Sequence, residues 1–184
     1  GSTSASGRIA SRDMAEPANP SPAGNSSPSR RAAHFTSGAA PTRLTSLREK
    51  LEILEALPDV DGIVAPIGGG SGVSGHCIGA KSLSPDVKVI GVQAEKAPAV
   101  YQSWKAGQCL ETPEAATWAE GVATRTAFEL PLGVIRKHVD DIVLLSEEEL
   151  RQGVVFLLES AHQLAEPAGA APAAAARKLG ARLR

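Results

Sequence analysis

The chain has 184 residues, a formal net charge of −1 and 42% hydrophobic residues, few of which are aromatic. This length suits one ordinary domain or part of a larger one, and the near-neutral charge gives no electrostatic reason to expect nucleic acid or an anionic membrane as a partner. No apolar run approaches the length of a membrane span and the N-terminus lacks a signal-peptide pattern, so we predict a cytoplasmic protein.

Residues 1–46 are rich in Ser, Ala, Pro, Arg and Gly, and they show the apolar periodicity of neither a helix nor a strand. Such a segment buries too little apolar surface to offset the entropy of ordering it. We therefore predict a disordered tail over 1–46 and a folded domain over 47–184.

From Leu47 onward, apolar runs alternate with helical patterns. Regularly spaced leucines predict a first helix that ends at Pro58. Strands are then predicted in DVDGIVAPI, VKVIGVQAE and DDIVLLS, and helices in GVSGHCIGAKSLS, APAVYQSWKAG and PLGVIRKHV. Ser146 and Glu149 fit a capping box that opens a long helix running to Pro167, and an alanine-rich helix closes the chain. Continuously apolar strands separated by helices predict an α/β fold, an open parallel sheet with helices on both faces.

The most informative segment is IVAPIGGGSGVSG, over 63–75, where an apolar strand breaks into a glycine-rich turn and then opens a helix. Glycine lets the backbone curl closely, so that several N–H groups point at one anion. The helix that follows adds the positive end of its dipole. This arrangement predicts a phosphate-binding loop.

The same loop also fits a dinucleotide-binding pattern. Gly70, Gly72 and Gly75 satisfy G-x-G-x-x-G between a strand and a helix, and Glu95 ends the next strand, where such a fold places its ribose-binding acid. Consecutive glycines before Ser71 give a wider loop, however, which favours a terminal phosphate over a bridging pyrophosphate. A tight turn without any ligand is the third interpretation, and the density of glycine argues against it.

The segment PIGGGSGVSG resembles the tetraglycine loop of fold-type II pyridoxal-phosphate enzymes, the group of threonine dehydratase (threonine ammonia-lyase) and serine racemase. Further blocks follow in the family's order and spacing over about 51–176, namely LEILEALPDVD, KVIGVQAEKAP, WAEGVA, HVDDIVLLSEEEL and LAEPAGAAPAAA. The likeness is closest to threonine dehydratases. It implies a tryptophan synthase β-like fold, incomplete in this chain, with pyridoxal 5′-phosphate as cofactor and a small amino acid as substrate.

The resemblance also implies which residues bind the cofactor. Those that would hold its phosphate are Gly68, Gly69, Gly70, Ser71 and Gly72. Ser71 stands where the family has its fourth glycine, and its hydroxyl can itself donate to phosphate. Gly72 replaces a bulky apolar residue of the family. Gly121 matches a position whose backbone lies beside the cofactor ring and the substrate, and Glu166 matches an acid kept near the ring.

Part of the family's catalytic machinery is not found in this sequence. The chemistry requires a lysine that forms a Schiff base with the cofactor and then acts as a base at the substrate α-carbon. The serine-phenylalanine-lysine motif and the serine-glycine-glycine-asparagine strand of threonine dehydratases are both missing. We therefore assign no catalytic residue and expect a partial large domain, over 47–184, that does not catalyse alone. Before LEILEAL the family has a stretch like F-I-A-G-K-G-T, which a displaced reading frame can spell here, so the tail is alternatively an out-of-frame translation.

The parent reaction that the resemblance implies is β-elimination from L-threonine or L-serine to a 2-oxo acid and ammonia, in a homo-oligomeric enzyme. A serine or threonine racemase would use the same loop, and a non-catalytic module that binds a phosphate ligand is the alternative from a different class.

Other residues give weaker signals. Glu95 with Ala99 is similar to a cation site of serine racemases, but Tyr101 stands at the third ligand position and cannot replace a carboxylate, so we predict no metal. The four histidines show no ligand spacing. Cys77 and Cys109 lie far apart, and both are expected to be buried thiols.

Overall fold

A computed structural model of the chain describes residues 31–34, 52, 55–57 and 59–180, in which strands and helices alternate. In chain order the elements are β1 (Arg31–His34), β2 (Val60–Pro66), α1 (Ser71–Leu83), β3 (Lys88–Ala94), α2 (Ala99–Ala106), a 3₁₀ turn (Glu120–Val122), α3 (Glu129–His138), β4 (Asp141–Leu145), α4 (Glu147–Ala161) and α5 (Pro167–Leu179). Over these described ranges, no helix is both long and apolar enough to cross a lipid bilayer.

The strands form one parallel sheet in the order β1-β2-β3-β4. The register pairs Val64 with Ile90 and Gly91 with Ile142. Because parallel neighbours need a crossover connection, β2 reaches β3 through α1, and β3 reaches β4 through α2 and α3. All carboxyl ends of the strands therefore lie at the same edge of the sheet.

Apolar side chains of the sheet enter two separate cores, one on each face. On one face, Val92 and Leu145 pack against Leu150 of α4 and the buried alanines of α5. On the other face, Val89 and Ile142 pack against apolar side chains from α1, α2 and α3. The predicted class, an open parallel sheet with helices on both faces, is confirmed.

The helix α4 begins where the sequence predicts and ends earlier. The Ser146 hydroxyl accepts the Glu149 N–H at 3.2 Å, and the Glu149 carboxylate accepts the Ser146 N–H at 2.8 Å, which completes the predicted capping box. The helix stops at Ala161 because His162 takes the left-handed conformation, with φ of 53°. Pro167 instead opens α5. The N–H groups of the first helical turn have no partner within the helix, so the N–H that proline lacks costs no hydrogen bond there.

The sequence patterns miss the strand β1. Arg31–His34 pairs in parallel with β2, although the sequence places this segment in a disordered tail. Its pairing runs through backbone groups and needs no apolar alternation, so the pattern does not reveal it. The rest of 1–46 lies outside the described residues, so that boundary stays a prediction. The predicted leucine-rich helix also falls partly outside them, and Glu52, Glu55 and Ala56 are helical.

The two cysteines differ in exposure. Cys77 is buried in α1, as expected, but Cys109 is exposed, so the prediction of a buried thiol is wrong there. α2 ends at Ala106 with Gly107 as its C-cap, and Cys109 belongs to the loop that follows. Loops run over the protein surface, which explains the exposure.

Candidate functional site

The glycine-rich loop lies at the carboxyl end of β2. Ile67 directly follows the strand, is fully buried, and donates its N–H to the Val92 carbonyl at 2.7 Å, which fixes the point where the loop leaves the sheet. Residues 68–70 make the turn, and α1 begins at Ser71. This edge of a parallel sheet is where open α/β proteins bind ligands.

Two of the loop glycines are required by the packing around them. A Cβ on Gly68 would lie 2.5 Å from the carbonyl oxygen of Gly121. Gly70 has φ of 89°, and a Cβ there would lie 2.9 Å from the Cβ of Pro131. A side chain at either position would force the backbone to move.

The other two loop glycines are not explained by packing. A Cβ on Gly72 would meet no atom within 4 Å, and one on Gly69 would lie 3.4 Å from the ring of Phe128. Gly72 is the second residue of α1 and does not have the positive φ that would require glycine. Packing in a turn without a ligand therefore explains only two of the four loop glycines, Gly68 and Gly70.

The backbone N–H groups of the loop find no acceptor in the described part of the chain. This holds for six consecutive residues, 68–73, because the first N–H of α1 with a partner is that of Ser74, which donates to the Gly70 carbonyl at 3.0 Å. The first turn of any helix has backbone N–H groups without a partner in the helix, and the turn at 68–70 adds further N–H groups of this kind. Together they can surround one anion, which the α1 dipole also favours, so these residues fit a phosphate group.

The structure brings Gly121 and Glu166 to the same place as the loop. The 3₁₀ turn that contains Gly121 lies against Gly68, and a Cβ on Gly121 would lie 2.6 Å from the Cβ of Ala168 and 3.8 Å from Glu166 Oε1. Glu166 precedes α5 as its N-cap, yet its side chain makes no capping hydrogen bond. The predicted cofactor residues therefore converge from three distant segments.

Sequence reasoning missed three contributions to this site. The N–H of Val73 completes the unpaired run, and its place in the first turn of the helix signals it. Glu147 supports the Gly121 turn, because its Oε2 accepts the Trp118 N–H at 3.1 Å. Phe128 lies against the loop at Gly69. The last two contacts join distant segments, and nothing in the local sequence signals them.

Three of the six lysines in the described ranges form ion pairs with residues outside the loop. Lys81 and Lys88 pair with Asp140 at 3.1 and 3.2 Å, and Lys178 pairs with Glu149 at 2.9 Å. Lys81 lies in the last turn of α1, about 15 Å along the axis from the loop. The remaining described lysines, all exposed, are Lys96, Lys105 and Lys137. None of the three ion pairs made by Lys81, Lys88 and Lys178 involves a residue of the loop.

Two carboxyl groups, those of Asp140 and Glu149, have lowered pKa values and stabilise the fold. Burial is the largest effect on Asp140 and raises its pKa, but the Val89 N–H and the ammonium groups of Lys81 and Lys88 more than reverse this and hold the pKa below its ordinary value. Burial likewise raises the pKa of Glu149, and its capping-box N–H donor and a lysine lower it further than burial raises it. Asp140 precedes β4 and so lies at the opposite edge of the sheet from the loop. Within the described ranges, no group of His, Cys, Asp or Glu side chains could hold a metal ion.

Known proteins with similar sequences and structures were compared with the chain. A family model described as "Pyridoxal-phosphate dependent enzyme" matches residues 50–184. The L-threonine ammonia-lyase of Thermotoga maritima is 42% identical over 125 residues, which are 68% of this chain and 31% of that protein. A T.th. threonine deaminase has a TM-score of 0.72 at 34% identity, over 77% of this chain and 52% of that chain. Maize serine racemase has a TM-score of 0.69 at 29% identity, over 72% and 42%.

The match to the family model includes every segment of the candidate site. The family model spans the loop at 68–72, Gly121 and Glu166. The chain spans about a third of the length of the curated relatives it matches. The chain belongs to the fold-type II family of pyridoxal-phosphate-dependent enzymes.

Proposed function

We propose that this chain forms the phosphate-binding part of a pyridoxal-phosphate-dependent lyase that converts L-threonine or L-serine into a 2-oxo acid and ammonia. The main support is the run of N–H groups at 68–73, which have no acceptor among the described residues. A phosphate dianion can accept hydrogen bonds from several of these groups at once, at the positive end of the α1 dipole.

Each predicted site residue has a distinct part in this proposal. The residues whose backbone N–H groups would hold the phosphate are Gly68, Gly69, Gly70, Ser71 and Gly72. The exposed Ser71 hydroxyl is a further donor. The backbone of Gly121 would line the place of the cofactor ring. The Glu166 carboxylate makes no capping bond and would face that ring. When bound, pyridoxal phosphate supplies an electron sink for bond breaking at the substrate α-carbon.

We further propose that these 184 residues do not catalyse elimination by themselves. The reaction needs a lysine that binds the cofactor aldehyde and then moves the α-proton of the substrate. In the described part of the chain, Lys81, Lys88 and Lys178 are held in ion pairs with residues outside the loop. Assembly into a homo-oligomer and a cytoplasmic location stay predictions.

Two other functions have specific support. The TM-score of 0.69 with maize serine racemase favours a racemase as the second candidate, which would yield D-serine where a lyase yields pyruvate. The ion pairs that hold three of the six described lysines favour the third candidate, a module that binds a phosphate ligand without catalysis. All three share the phosphate site at 68–73.

Binding of pyridoxine 5′-phosphate tests the phosphate site directly. This compound carries an alcohol in place of the aldehyde of pyridoxal phosphate, so it cannot react with surface lysines. In calorimetric titrations we expect the chain to bind pyridoxine 5′-phosphate and inorganic phosphate, and to bind pyridoxine without its phosphate much more weakly. Equal binding of pyridoxine with and without the phosphate would contradict the proposal. A 2-oxo acid assay with L-threonine and pyridoxal phosphate tests the expected lack of catalysis.

A further inference from the structure

We infer that Phe128 is a further ligand-contacting residue, whose ring forms part of the surface that receives the planar, apolar body of the phosphate ester held at 68–73. Phe128 directly precedes α3 and belongs to none of the residues that the family resemblance assigns. This inference rests on the proposed function, because it concerns the same ligand. Three properties of Phe128 support it.

The first property is contact with the loop. The Cε2 and Cδ2 atoms of Phe128 lie 3.4 and 3.7 Å from the position of a Cβ on Gly69. The ring therefore lies beside Gly69, whose N–H group is one of those that have no acceptor among the described residues. A molecule whose phosphate occupied those groups would extend its remaining atoms across neighbouring surface.

The second property is exposure. Phe128 is 55% exposed and Leu130 is 68% exposed, whereas Leu132 and Ile135, further along α3, are buried in the core. A phenylalanine buries a large apolar area when it packs in a core, and much of that area is open here. Core packing therefore does not explain a phenylalanine at this position.

The third property is the position of Phe128 at the N-cap of α3. Its backbone is extended, with φ of −106° and ψ of 138°, and it supplies no side-chain hydrogen bond to the helix. Ser, Thr, Asp and Asn are strongly preferred at an N-cap because they do supply one, as Ser146 does for α4. A residue that breaks a local preference, and that makes no structural contact to compensate for it, is expected at a functional site.

These properties lead to a selective effect on binding. Inorganic phosphate needs only the N–H groups of 68–73, so its affinity should not depend on an aromatic neighbour. A phosphate ester with a planar ring would also bury part of that ring against Phe128, which adds apolar and dispersion contacts. If Phe128 only held the loop in shape, both ligands would lose affinity together.

The experiment measures the dissociation constants of pyridoxine 5′-phosphate and inorganic phosphate for wild type, Phe128→Ala and Phe128→Tyr. We expect Phe128→Ala to weaken binding of the ester about threefold to tenfold and to leave phosphate binding within about twofold. Phe128→Tyr keeps the ring and should retain ester binding. Phe156→Ala is the matched control, because Phe156 lies on α4, where Arg177 packs over its ring, and its loss should change neither constant.

The outcomes separate this inference from the proposed function. Unchanged ester affinity in Phe128→Ala, or equal losses for both ligands, would overturn the role of Phe128 and leave the phosphate site standing. A wild-type chain that binds neither ligand would overturn both. Retained phosphate binding in Phe128→Ala, together with a cooperative thermal melt, shows that the variant is folded.

Discussion

Replacing Gly72 with aspartate places a negative charge at the candidate phosphate site without disturbing the packing. A Cβ there meets no atom within 4 Å, and α1 has no acidic residue in its first turn. An acidic residue in the first turn of a helix stabilises it by about 0.3–1 kcal/mol. We therefore expect Gly72→Asp to raise the free energy of unfolding by about 0.3–1 kcal/mol.

The same substitution should weaken phosphate binding strongly. Two unit charges of the same sign roughly 6 Å apart repel by about 3 kcal/mol at an effective dielectric constant of about 20. That energy corresponds to about a 100-fold change in the dissociation constant. Gly72 is only half-buried, so solvent and salt screen part of this repulsion. We expect at least a tenfold loss of affinity for pyridoxine 5′-phosphate at low ionic strength.

Gly72→Asn is the matched control, because it has the shape of the aspartate variant and no charge. Calorimetry with pyridoxine 5′-phosphate and thermal melting should show a stable, weakly binding aspartate variant, and an asparagine variant close to wild type in affinity. Wild-type affinity in both variants would refute a phosphate at the start of α1. Equal and large losses in both would show that the size of the side chain decides and not its charge.

Three further substitutions test the fold and the site. The pKa of Asp140 is lowered in the folded state, so its stabilising effect is complete above the unfolded pKa and disappears as the pH falls through the folded pKa. In urea titrations, Asp140→Asn should therefore lower the free energy of unfolding by roughly 1 kcal/mol at pH 7 and by clearly less at pH 3. An equal loss of stability at both pH values would contradict this. His162→Gly should raise the free energy of unfolding by about 0.5–1 kcal/mol, because φ at this position is 53°, and an unchanged thermal midpoint would argue against strain there. Gly121→Ala should lower both the thermal midpoint and the affinity for pyridoxine 5′-phosphate, because the new Cβ would lie 2.6 Å from the Cβ of Ala168. A wild-type thermal midpoint together with wild-type affinity would be inconsistent with this close contact.

The parts of the fold that the sequence predicts correctly depend on local patterns. The strands β2, β3 and β4 are apolar runs, and the capping box of Ser146 and Glu149 marks the start of α4 within four consecutive residues. The end of α4 is different, since His162 has no sequence feature that requires a left-handed conformation. Strand β1 escapes prediction because its pairing with β2 runs through backbone groups, which every residue type carries.

The candidate site shows the same division at the level of single residues. The glycine pattern predicts a phosphate loop, but it does not separate the glycines that the fold requires from those that packing leaves unexplained. Gly68 and Gly70 are confined by the Gly121 carbonyl and by Pro131, which follow much later in the chain, whereas Gly72 has open space beside it. Only tertiary contacts reveal that difference, and it decides where a side chain can be added without unfolding the loop.

The phosphate site and the catalytic chemistry also depend on different kinds of contact. The N–H groups of 68–73 belong to one contiguous segment, and the end of β2 and the start of α1 suffice to arrange them. Catalysis instead needs a lysine side chain from another segment, and no contact in the described part of the chain brings one to the loop. Anion binding is therefore the property that this chain can be expected to retain by itself, and its measurement tests the family assignment of the loop independently of any turnover.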